Sequence, residues 1–199
     1  MIILKGCLIL TGRYKGVTVM TDEQRTEERP PEITGILSEG LKVVVPSSEE
    51  VEYLKSREYG IVVGEEVMLE PVEALYLVKR GILKVKDQEG KTLGFEEYLL
   101  KIAEKDGDIW IKLEVYSDLR KRGLQVKPGY AEGLVFLLDR KKKGKVKGYM
   151  VYVFREGVKI GFPELEKAFT RAIESGREPV VAIVDKEGNV SYYVMSKMM

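Results

Sequence analysis

The chain has 199 residues, with no histidine and a single cysteine, Cys7. These counts exclude a His-based catalytic triad, a zinc finger that needs His, an intramolecular disulfide and a Cys-rich metal site. A chain of this length can bury a core as one large or two small domains. Its 44% hydrophobic and 33% charged residues are typical of a soluble globular protein.

Charge is spread unevenly along the chain, although the total is only +1. Residues 1–107 carry 15 basic and 20 acidic side chains, whereas residues 108–199 carry 18 basic and 12 acidic ones. This asymmetry indicates a C-terminal half that faces a polyanion. Many Lys and Glu with few amide residues are typical of a thermophile. Because no leader segment and no apolar run of ~18 residues occur, we expect a cytoplasmic protein without a membrane span.

The first half of the chain predicts short strands separated by helices. The acids Glu49 and Glu50 stand in the first turn of one predicted helix, whereas Pro71 opens a second helix that Gly81 closes. The predicted helices cover residues 47–57 and 70–80, and the predicted strands cover residues 2–10, 17–20, 41–45, 59–63 and 82–85. Residues 21–31 are acidic and end in two prolines, which is typical of an exposed loop. Cys7 is expected to be a small buried side chain.

The second half gives clearer signals. Trp110 and Tyr116 have helical spacing, which predicts that both face a core. The predicted helices cover residues 95–105, 109–122 and 162–173, and the predicted strands cover residues 124–126, 133–138, 149–154, 179–184 and 190–195. A basic loop is expected at 140–148 and a tight turn at 185–189. The order of these elements predicts a mixed α/β fold, with helices packed against a mixed sheet.

Three motifs carry a family resemblance. They are residues 73–81 (EALYLVKRG), residues 116–123 (YSDLRKRG) and residues 181–188 (VAIVDKEG), the last with Tyr192 and Tyr193 behind it. In combination they resemble the archaeal tRNA-splicing endonucleases. The resemblance implies a small N-terminal α/β domain over residues 1–86. It also implies a restriction-endonuclease-like C-terminal domain over residues 92–199, in which helices flank a mixed sheet.

The resemblance also implies an activity. The family cuts introns from precursor tRNA at a bulge-helix-bulge fold, needs no metal or other cofactor, and leaves a cyclic phosphate. In the family, a Tyr removes the proton from the 2′-hydroxyl, a His protonates the leaving oxygen, and a Lys stabilises the charged phosphorane. Such a set is needed because attack requires proton removal, departure requires proton delivery, and charge on the phosphate requires a fixed cation.

The three catalytic positions of the family fall on Asp139, Val146 and Arg177, with Glu178 as the alternative to Arg177. The base and the acid are therefore absent, and an Arg at best replaces the cation. A general acid or base contributes ~10²–10⁴ in rate, so the loss of both leaves little catalysis. The resemblance thus implies a non-catalytic structural subunit that joins a catalytic paralogous subunit in an α2β2 heterotetramer acting on precursor tRNA.

Two segments near the C-terminus match parts of the family that contact other subunits. Residues 185–189 match an acidic loop that plugs a basic pocket on the opposite subunit, although a plain hairpin turn would use the same residues. Residues 190–195 match a last strand that pairs subunits side by side, and a terminal strand needs cover. The interface candidates are Asp185, Lys186, Glu187, Gly188, Asn189, Val190, Tyr192, Tyr193 and Val194.

Basic side chains supply the candidates for RNA contact. Most lie in the run at 140–147, and Arg171 lies beside the position of an Arg that stacks on a bulged base in the family. The candidates are Arg140, Lys141, Lys142, Lys143, Lys145, Lys147 and Arg171. One interpretation of the run is a phosphate-contacting hairpin that binds more strongly at low salt, and a solvated surface loop is the alternative. Two other functions stay open: an active nuclease with Tyr130 or Tyr149 as base and Lys147 as acid or cation, or an RNA-binding module outside splicing.

Overall fold

In a computed structural model of the chain, the described residues are 2–6, 32–46, 49–129, 135–142 and 145–197. Contacts divide the chain into two compact units. We call Thr26–Tyr116 the middle unit, and Met1–Arg25 together with Ser117–Met199 the terminal unit. The domain boundaries expected from the sequence stay a prediction. The contact-based division differs from them because strand β1 (Ile2–Gly6) pairs within the terminal unit.

The middle unit is built on a six-stranded mixed sheet. Its neighbouring strands are antiparallel except for one parallel pair, β2 with β6. The strands are β2 (Ile33–Leu37), β3 (Val43–Val45), β4 (Ile61–Val63), β5 (Glu66–Leu69), β6 (Leu83–Lys86) and β7 (Thr92–Leu93), in the order β4-β5-β3-β2-β6-β7. A 3-10 turn, Glu39–Leu41, joins β2 to β3.

Four helices begin in the middle unit. They are α1 (Glu49–Ser56), α2 (Pro71–Lys79), α3 (Phe95–Ala103) and α4 (Ile109–Lys121), of which α4 ends in the terminal unit. Helix α2 begins at Pro71 and is fixed by a capping box of Glu70 and Glu73. The buried carboxylate of Glu73 accepts hydrogen bonds from the backbone N–H groups of Gly60 and Glu70, each at 3.2 Å. This carboxylate therefore ties the start of α2 to the residue before β4.

One face of the middle sheet forms the core of this unit. Alternate strand residues point to opposite faces, and those on the core face are fully buried, for example Val43, Val67 and Val85. The residues between them lie on the other face and remain partly or largely exposed, as Ile36, Val44 and Met68 do.

The terminal unit holds the second six-stranded mixed sheet. Its strands after β1 are β8 (Val126–Pro128), β9 (Val135–Lys142), β10 (Lys145–Arg155), β11 (Glu178–Val184) and β12 (Val190–Lys197), and its helix α5 is Phe162–Glu174. The order is β1-β12-β11-β10-β9-β8, and the parallel pair is β10 with β11. Helix α5 provides the crossover that a parallel pair requires.

Helix α5 covers one face of the terminal sheet. The Tyr152 hydroxyl donates to the Ala168 carbonyl at 2.8 Å, within a cluster that includes Val181 and Met195. Burial raises the pKa of Tyr152, although the charge of Arg171 opposes that rise. On the opposite face, the Tyr192 hydroxyl donates to Oδ2 of Asp118 at 2.7 Å. The expected mixed α/β fold is thus confirmed, with a mixed sheet and helices in each unit.

Of the two interpretations of the basic run, the loop at 140–148 is wrong and the hairpin is confirmed as a shape, while its phosphate contacts stay a prediction. Strand β9 continues to Lys142 and β10 starts at Lys145, so most of the run lies in a β-hairpin whose register pairs Arg140 with Lys147. The prediction failed because a run of charges lacks apolar alternation, while backbone pairing does not require apolar side chains. Strands β2, β5 and β7 were also missed.

The burial expected for Trp110 and Tyr116 is confirmed for only one of them. Tyr116 is buried as expected, but Trp110 is half-exposed, with its ring centroid 5.8 Å from Nζ of Lys79. Several expectations fall outside the described residues, in which Glu32 follows Gly6. They are Cys7, the remainder of the strand expected at 2–10, the strand at 17–20 and the loop at 21–31. No helix in the described ranges has the length and apolar character needed to cross a membrane.

Candidate functional site

Asp139 and Arg177 form an ion pair on the terminal sheet. Nη1 of Arg177 lies 2.7 Å from Oδ1 of Asp139, and Nη2 lies 3.5 Å from Oδ2. Asp139 belongs to β9 and Arg177 directly precedes β11, so the pair spans β10, which lies between these strands. Nη1 also donates to the carbonyl oxygens of Leu138 at 3.2 Å and Tyr149 at 3.5 Å. One carboxylate and two carbonyls thus hold the guanidinium in place.

Gly148 makes room for this pair. It lies on β10, directly opposite Asp139 in the ladder. A Cβ atom at this position would lie 2.9 Å from Nη1 of Arg177 and 3.1 Å from Oδ1 of Asp139. Glycine inside a strand is typical of a place where another group approaches the backbone closely. Sequence reasoning missed Gly148 because it placed this residue at the end of an expected loop rather than inside a strand.

The pair supplies charge but no acid. A guanidinium keeps its protons in a protein, and the carboxylate of Asp139 offsets the positive charge of Arg177 where a phosphate would need it. Val146, at the third position, lies two residues before Gly148 on β10 and is 61% exposed. Its side chain has no polar atom. The structure therefore brings Asp139 and Arg177, two of the three predicted positions, into contact. Neither side chain has the chemistry of the Tyr or the His that the resemblance implies.

A second ion pair joins β10 to β11. Nζ of Lys147 is 2.6 Å from Oε1 of Glu178 and 5.6 Å from the ring centroid of Tyr149. Tyr149 is only 1% exposed, so a substrate hydroxyl does not reach it in this structure. The alternative of an active nuclease with relocated groups would therefore use a Tyr149 that is shielded from solvent and a Lys147 that forms an ion pair with Glu178. Tyr130 lies outside the described residues.

The hairpin of β9 and β10 orders the basic run. Its register pairs Arg140 with Lys147 and Lys142 with Lys145, and directly paired residues share one face of a sheet. The hairpin therefore places four basic positions on one face. Lys143 lies outside the described residues, and the side chains of Lys141, Lys142 and Lys145 are likewise outside the description.

The turn at 185–189 is held by one carboxylate. Oδ1 of Asp185 accepts from the backbone N–H groups of Glu187 at 2.9 Å and Asn189 at 2.8 Å, and Oδ2 accepts from Nδ2 of Asn189 at 2.9 Å. The side-chain hydrogen bond from Asn189, and then its backbone N–H, hold the pKa of Asp185 below its ordinary value. Asp185 thus shapes the turn, whereas Lys186 and Glu187 are exposed at its tip.

The last strand is not an open edge. Strand β1 pairs with β12 and places Lys5 opposite Val194 and Gly6 opposite Tyr193. The cover that a terminal strand needs thus comes from the N-terminal strand of the same chain, and the subunit contact expected at 190–195 stays a prediction. The faces of β12 differ: Tyr192 is buried, while Tyr193 and Val194 are half-buried and Val190 is partly exposed.

Asp118 and Arg122, which belong to the YSDLRKRG motif, lie beside Tyr192, the buried tyrosine of β12. Nε and Nη2 of Arg122 donate to Oδ2 and Oδ1 of Asp118 at 2.8 and 2.9 Å. The guanidinium of Arg122 also lies 5.7 Å from the ring centroid of Tyr192. The hydrogen bond with Asp118 raises the pKa of Arg122. These contacts connect the YSDLRKRG motif to β12.

The last candidate for RNA contact lies on helix α5. Arg171 lies half-buried on α5. Among the described residues, no three Asp, Glu, Cys or His side chains gather closely enough to hold a metal ion. The expectation of chemistry without a metal or cofactor stays a prediction.

Comparison with known proteins identifies the family. The family model described as tRNA intron endonuclease, N-terminal domain, matches residues 34–99, and the one described as tRNA intron endonuclease, catalytic C-terminal domain, matches residues 109–192. The chain is 37% identical over 158 residues to a tRNA-splicing endonuclease of Methanococcus vannielii, which covers 77% of this chain and 88% of the relative. It is 36% identical over 138 residues to one of Pyrococcus abyssi, which covers 69% and 80%. The chain belongs to the tRNA intron endonuclease family.

Family membership confirms part of the sequence analysis. The resemblance drawn from the three motifs is correct, and the family acts on precursor tRNA. The ion pair of Asp139 and Arg177 lies inside the segment that matches the catalytic domain. The role of this chain within such an enzyme, its partner subunit and its site residues stay predictions.

Proposed function

We propose that this chain is the non-catalytic structural subunit of a tRNA-splicing endonuclease that removes introns at bulge-helix-bulge motifs. In this proposal it positions a catalytic paralogue, and two copies of each chain form an α2β2 heterotetramer in the cytoplasm. The observation that carries the proposal is the 2.7 Å contact between Arg177 and Asp139, because it joins the residues that correspond to the family's cation and base.

The chemistry of the pair supports this role. A base in such a reaction must accept a proton from the 2′-hydroxyl, and a cation must be available to the developing phosphorane charge. In this chain the candidate base and the candidate cation bind each other, and Val146 stands where an acid is needed. The site therefore lies in the segment that matches the family's catalytic domain but lacks a complete set of groups to move protons.

The turn at 185–189 is the proposed plug for a basic pocket on the opposite subunit. Because Asp185 is engaged within the turn, Glu187 is the exposed carboxylate at the tip that can bind a cation across an interface. Strand β12 already has a neighbour on each side, so its proposed subunit contact uses side chains, with Tyr193 and Val194 as the half-buried ones.

The basic hairpin is the proposed contact with the RNA backbone. Arg140 and Lys147 are paired in the register, and their side chains project from one face. Phosphate contacts of this kind give sequence-independent affinity that falls with salt. The hairpin would thus hold precursor tRNA while the catalytic subunit cuts it.

Co-expression with a paralogue that carries the Tyr, His and Lys set tests the proposal. We expect one heteromer to form, and cleavage of a bulge-helix-bulge substrate to require the heteromer and the catalytic residues of the paralogue. Cleavage by the purified chain alone would contradict the proposal, and so would cleavage by a heteromer whose paralogue lacks its His.

A charge reversal tests the proposed plug. Glu187→Lys should weaken assembly of the heteromer, measured by sedimentation, because it places a cation against a basic pocket. Glu164→Lys, which makes the same change at an exposed residue of α5, should leave assembly unchanged. Equal effects of the two variants would argue against a specific role for the turn.

A further inference from the structure

A row of apolar side chains crosses the open face of the middle sheet. The register pairs Ile61 with Met68, Met68 with Val44, and Val44 with Ile36. Directly paired residues lie side by side on one face, so these four side chains form a stripe across β4, β5, β3 and β2. Ile36 is 49% exposed and Ile61 is 39% exposed. We call this row the apolar stripe.

Opposite charges flank the apolar stripe. On the β6 side, Lys86 is paired with Ile36, and Lys84 lies two residues earlier on the same face. On the β5 side, Glu66 lies two residues before Met68 on this face and is exposed. Lys84 and Lys86 are exposed as well, and Lys84 also contacts Glu32 at 2.7 Å. The face is thus basic on one side of its apolar centre and acidic on the other.

We propose that this face is an interface between two copies of this chain. A two-fold axis that runs along the strands, between β2 and β3, lays β2 of one copy over β3 of the other and β6 over β5. Ile36 then faces Val44 of the second copy, and Lys84 faces Glu66 of the second copy, because the register sets Lys84 level with Thr34 and Glu66 two residues before Met68. A two-fold interface requires such a self-complementary surface, and sheets that pack face to face lie about 10 Å apart.

The order of the strands is the reason for choosing a second copy as the occupant. Strand β6 and strand β5 lie equally far from the axis, since the order is β4-β5-β3-β2-β6-β7. Each Lys84 therefore lies opposite Glu66 of the second copy, and Ile36 and Val44 lie opposite each other at the centre. A nucleic acid would gain nothing from the apolar stripe and would be repelled by Glu66.

The size of the stripe sets the strength of the contact. Stable complexes bury about 800 Å² on each partner, whereas the apolar stripe offers four side chains. The dimer is therefore weak and depends on concentration. In a heterotetramer with two copies of this chain, tethering would raise the effective concentration. The proposal itself concerns the isolated chain and does not require that the chain be inactive.

Sedimentation equilibrium of the full chain, from micromolar to near-millimolar concentration, tests the interface. We expect a monomer-dimer equilibrium that Ile36→Glu weakens at least about tenfold, because it buries a charge among apolar side chains. Val62→Glu is the matched control: Val62 is 50% exposed but belongs to the opposite face of the sheet at β4. It should leave the dimer intact, and thermal melting confirms that each variant folds.

Charge reversal tests the proposed axis. Lys84→Glu and Glu66→Lys should each weaken self-association, because each creates two like-charge contacts. A mixture of the two variants should form mixed dimers in preference to either homodimer, since both charge pairs are then restored.

Three results would overturn the proposal. The first is a wild-type chain that stays monomeric throughout, and the second is a dimer that survives Ile36→Glu. The third is a dimer that dissociates in Val62→Glu or in Tyr193→Lys but persists in Ile36→Glu. That result would place the contact at the β4 edge or at β12. None of these readouts depends on RNA cleavage, so failure here is distinguishable from failure of the proposed function.

Discussion

Nη1 of Arg177 lies 2.7 Å from Oδ1 of Asp139, across a strand that carries Gly148 at this point. The two residues come from separate parts of the sequence, and only the strand order β9-β10-β11 brings them together. Their contact joins two positions that, by resemblance, would hold a base and a cation. Proximity of these positions is therefore a property of the sheet, whereas catalysis would depend on the side chains placed there.

Gly148→Ala should separate this pair. Its Cβ would lie 2.9 Å from Nη1 of Arg177, and the flexible end of that side chain moves more easily than the strand. Because the pair is partly exposed, we expect the free energy of unfolding to fall by only about 1 kcal/mol. The coupling energy between Asp139→Asn and Arg177→Gln, measured by chemical denaturation, should fall towards zero in the Gly148→Ala background.

Gly107→Ala is the control for this substitution. A Cβ at Gly107 meets no atom within 4 Å, so this variant should leave the coupling energy at its wild-type value. Retention of the full coupling in Gly148→Ala would show that the glycine is not needed for the ion pair.

Tyr192→Phe should destabilise the terminal unit. It removes the hydroxyl that donates to Asp118 at 2.7 Å, and hydrogen bonds to charged groups contribute about 1.5–3 kcal/mol. We place the expected loss in the lower part of this range, because Asp118 keeps its bonds to Arg122. Tyr193→Phe, on the other face of β12, should cost less. Equal losses in urea denaturation would contradict the assigned role of the Tyr192 hydroxyl.

Local signals predicted the helices well. Pro71 and Gly81 bracket α2, and Pro163 stands in the first turn of α5, so the sequence alone locates the ends of these helices to within a few residues. Long-range pairing was out of reach, because β1 and β12 lie at opposite ends of the chain. No local pattern could indicate that Ile2–Gly6 covers the last strand.

The candidate site was predicted in part. Resemblance alone supplied Asp139, Val146 and Arg177, whereas the ion pair required the register of three strands. The hairpin was one of two interpretations of the basic run, and the sequence could not decide between them because alternation of charge with charge leaves no apolar face to detect. Gly148 could not be singled out, because it ends the segment expected to be a basic loop, and a glycine signals a close approach only where it lies inside a strand.

The turn at 185–189 should respond to acid. The hydrogen bonds from Asn189 lower the pKa of Asp185 in the folded chain. Stabilisation of the turn is therefore fully present above the ordinary pKa of an Asp, and it is lost as the pH falls through the lowered value. Titration followed by NMR should show the amide proton of Asn189 shifting with the carboxylate of Asp185.

Asn189→Ala tests the cause of this lowered pKa. It removes the Nδ2 donor at 2.9 Å but keeps the backbone donor, so the pKa of Asp185 should rise towards its ordinary value without reaching it. Lys186→Ala, at the exposed neighbour of Asp185, serves as the comparison and should raise the pKa less. An unchanged pKa in Asn189→Ala would assign the shift to the backbone donors alone.

Removal of charge from the hairpin should reduce the salt dependence of RNA binding. In the double variant Arg140→Gln and Lys147→Gln, the logarithm of the binding constant should fall less steeply with the logarithm of the salt concentration. The slope should become shallower by ~0.7–0.9 for each phosphate that no longer binds a cation of the protein. Lys101→Gln with Lys105→Gln removes the same charge from exposed residues of the middle unit, so long-range electrostatics alone would change both slopes alike. Direct binding to phosphate changes only the hairpin variant, because counterions are released only from the phosphates that a cation touches. Filter binding of a bulge-helix-bulge RNA to the full chain over a range of salt concentrations separates the two cases.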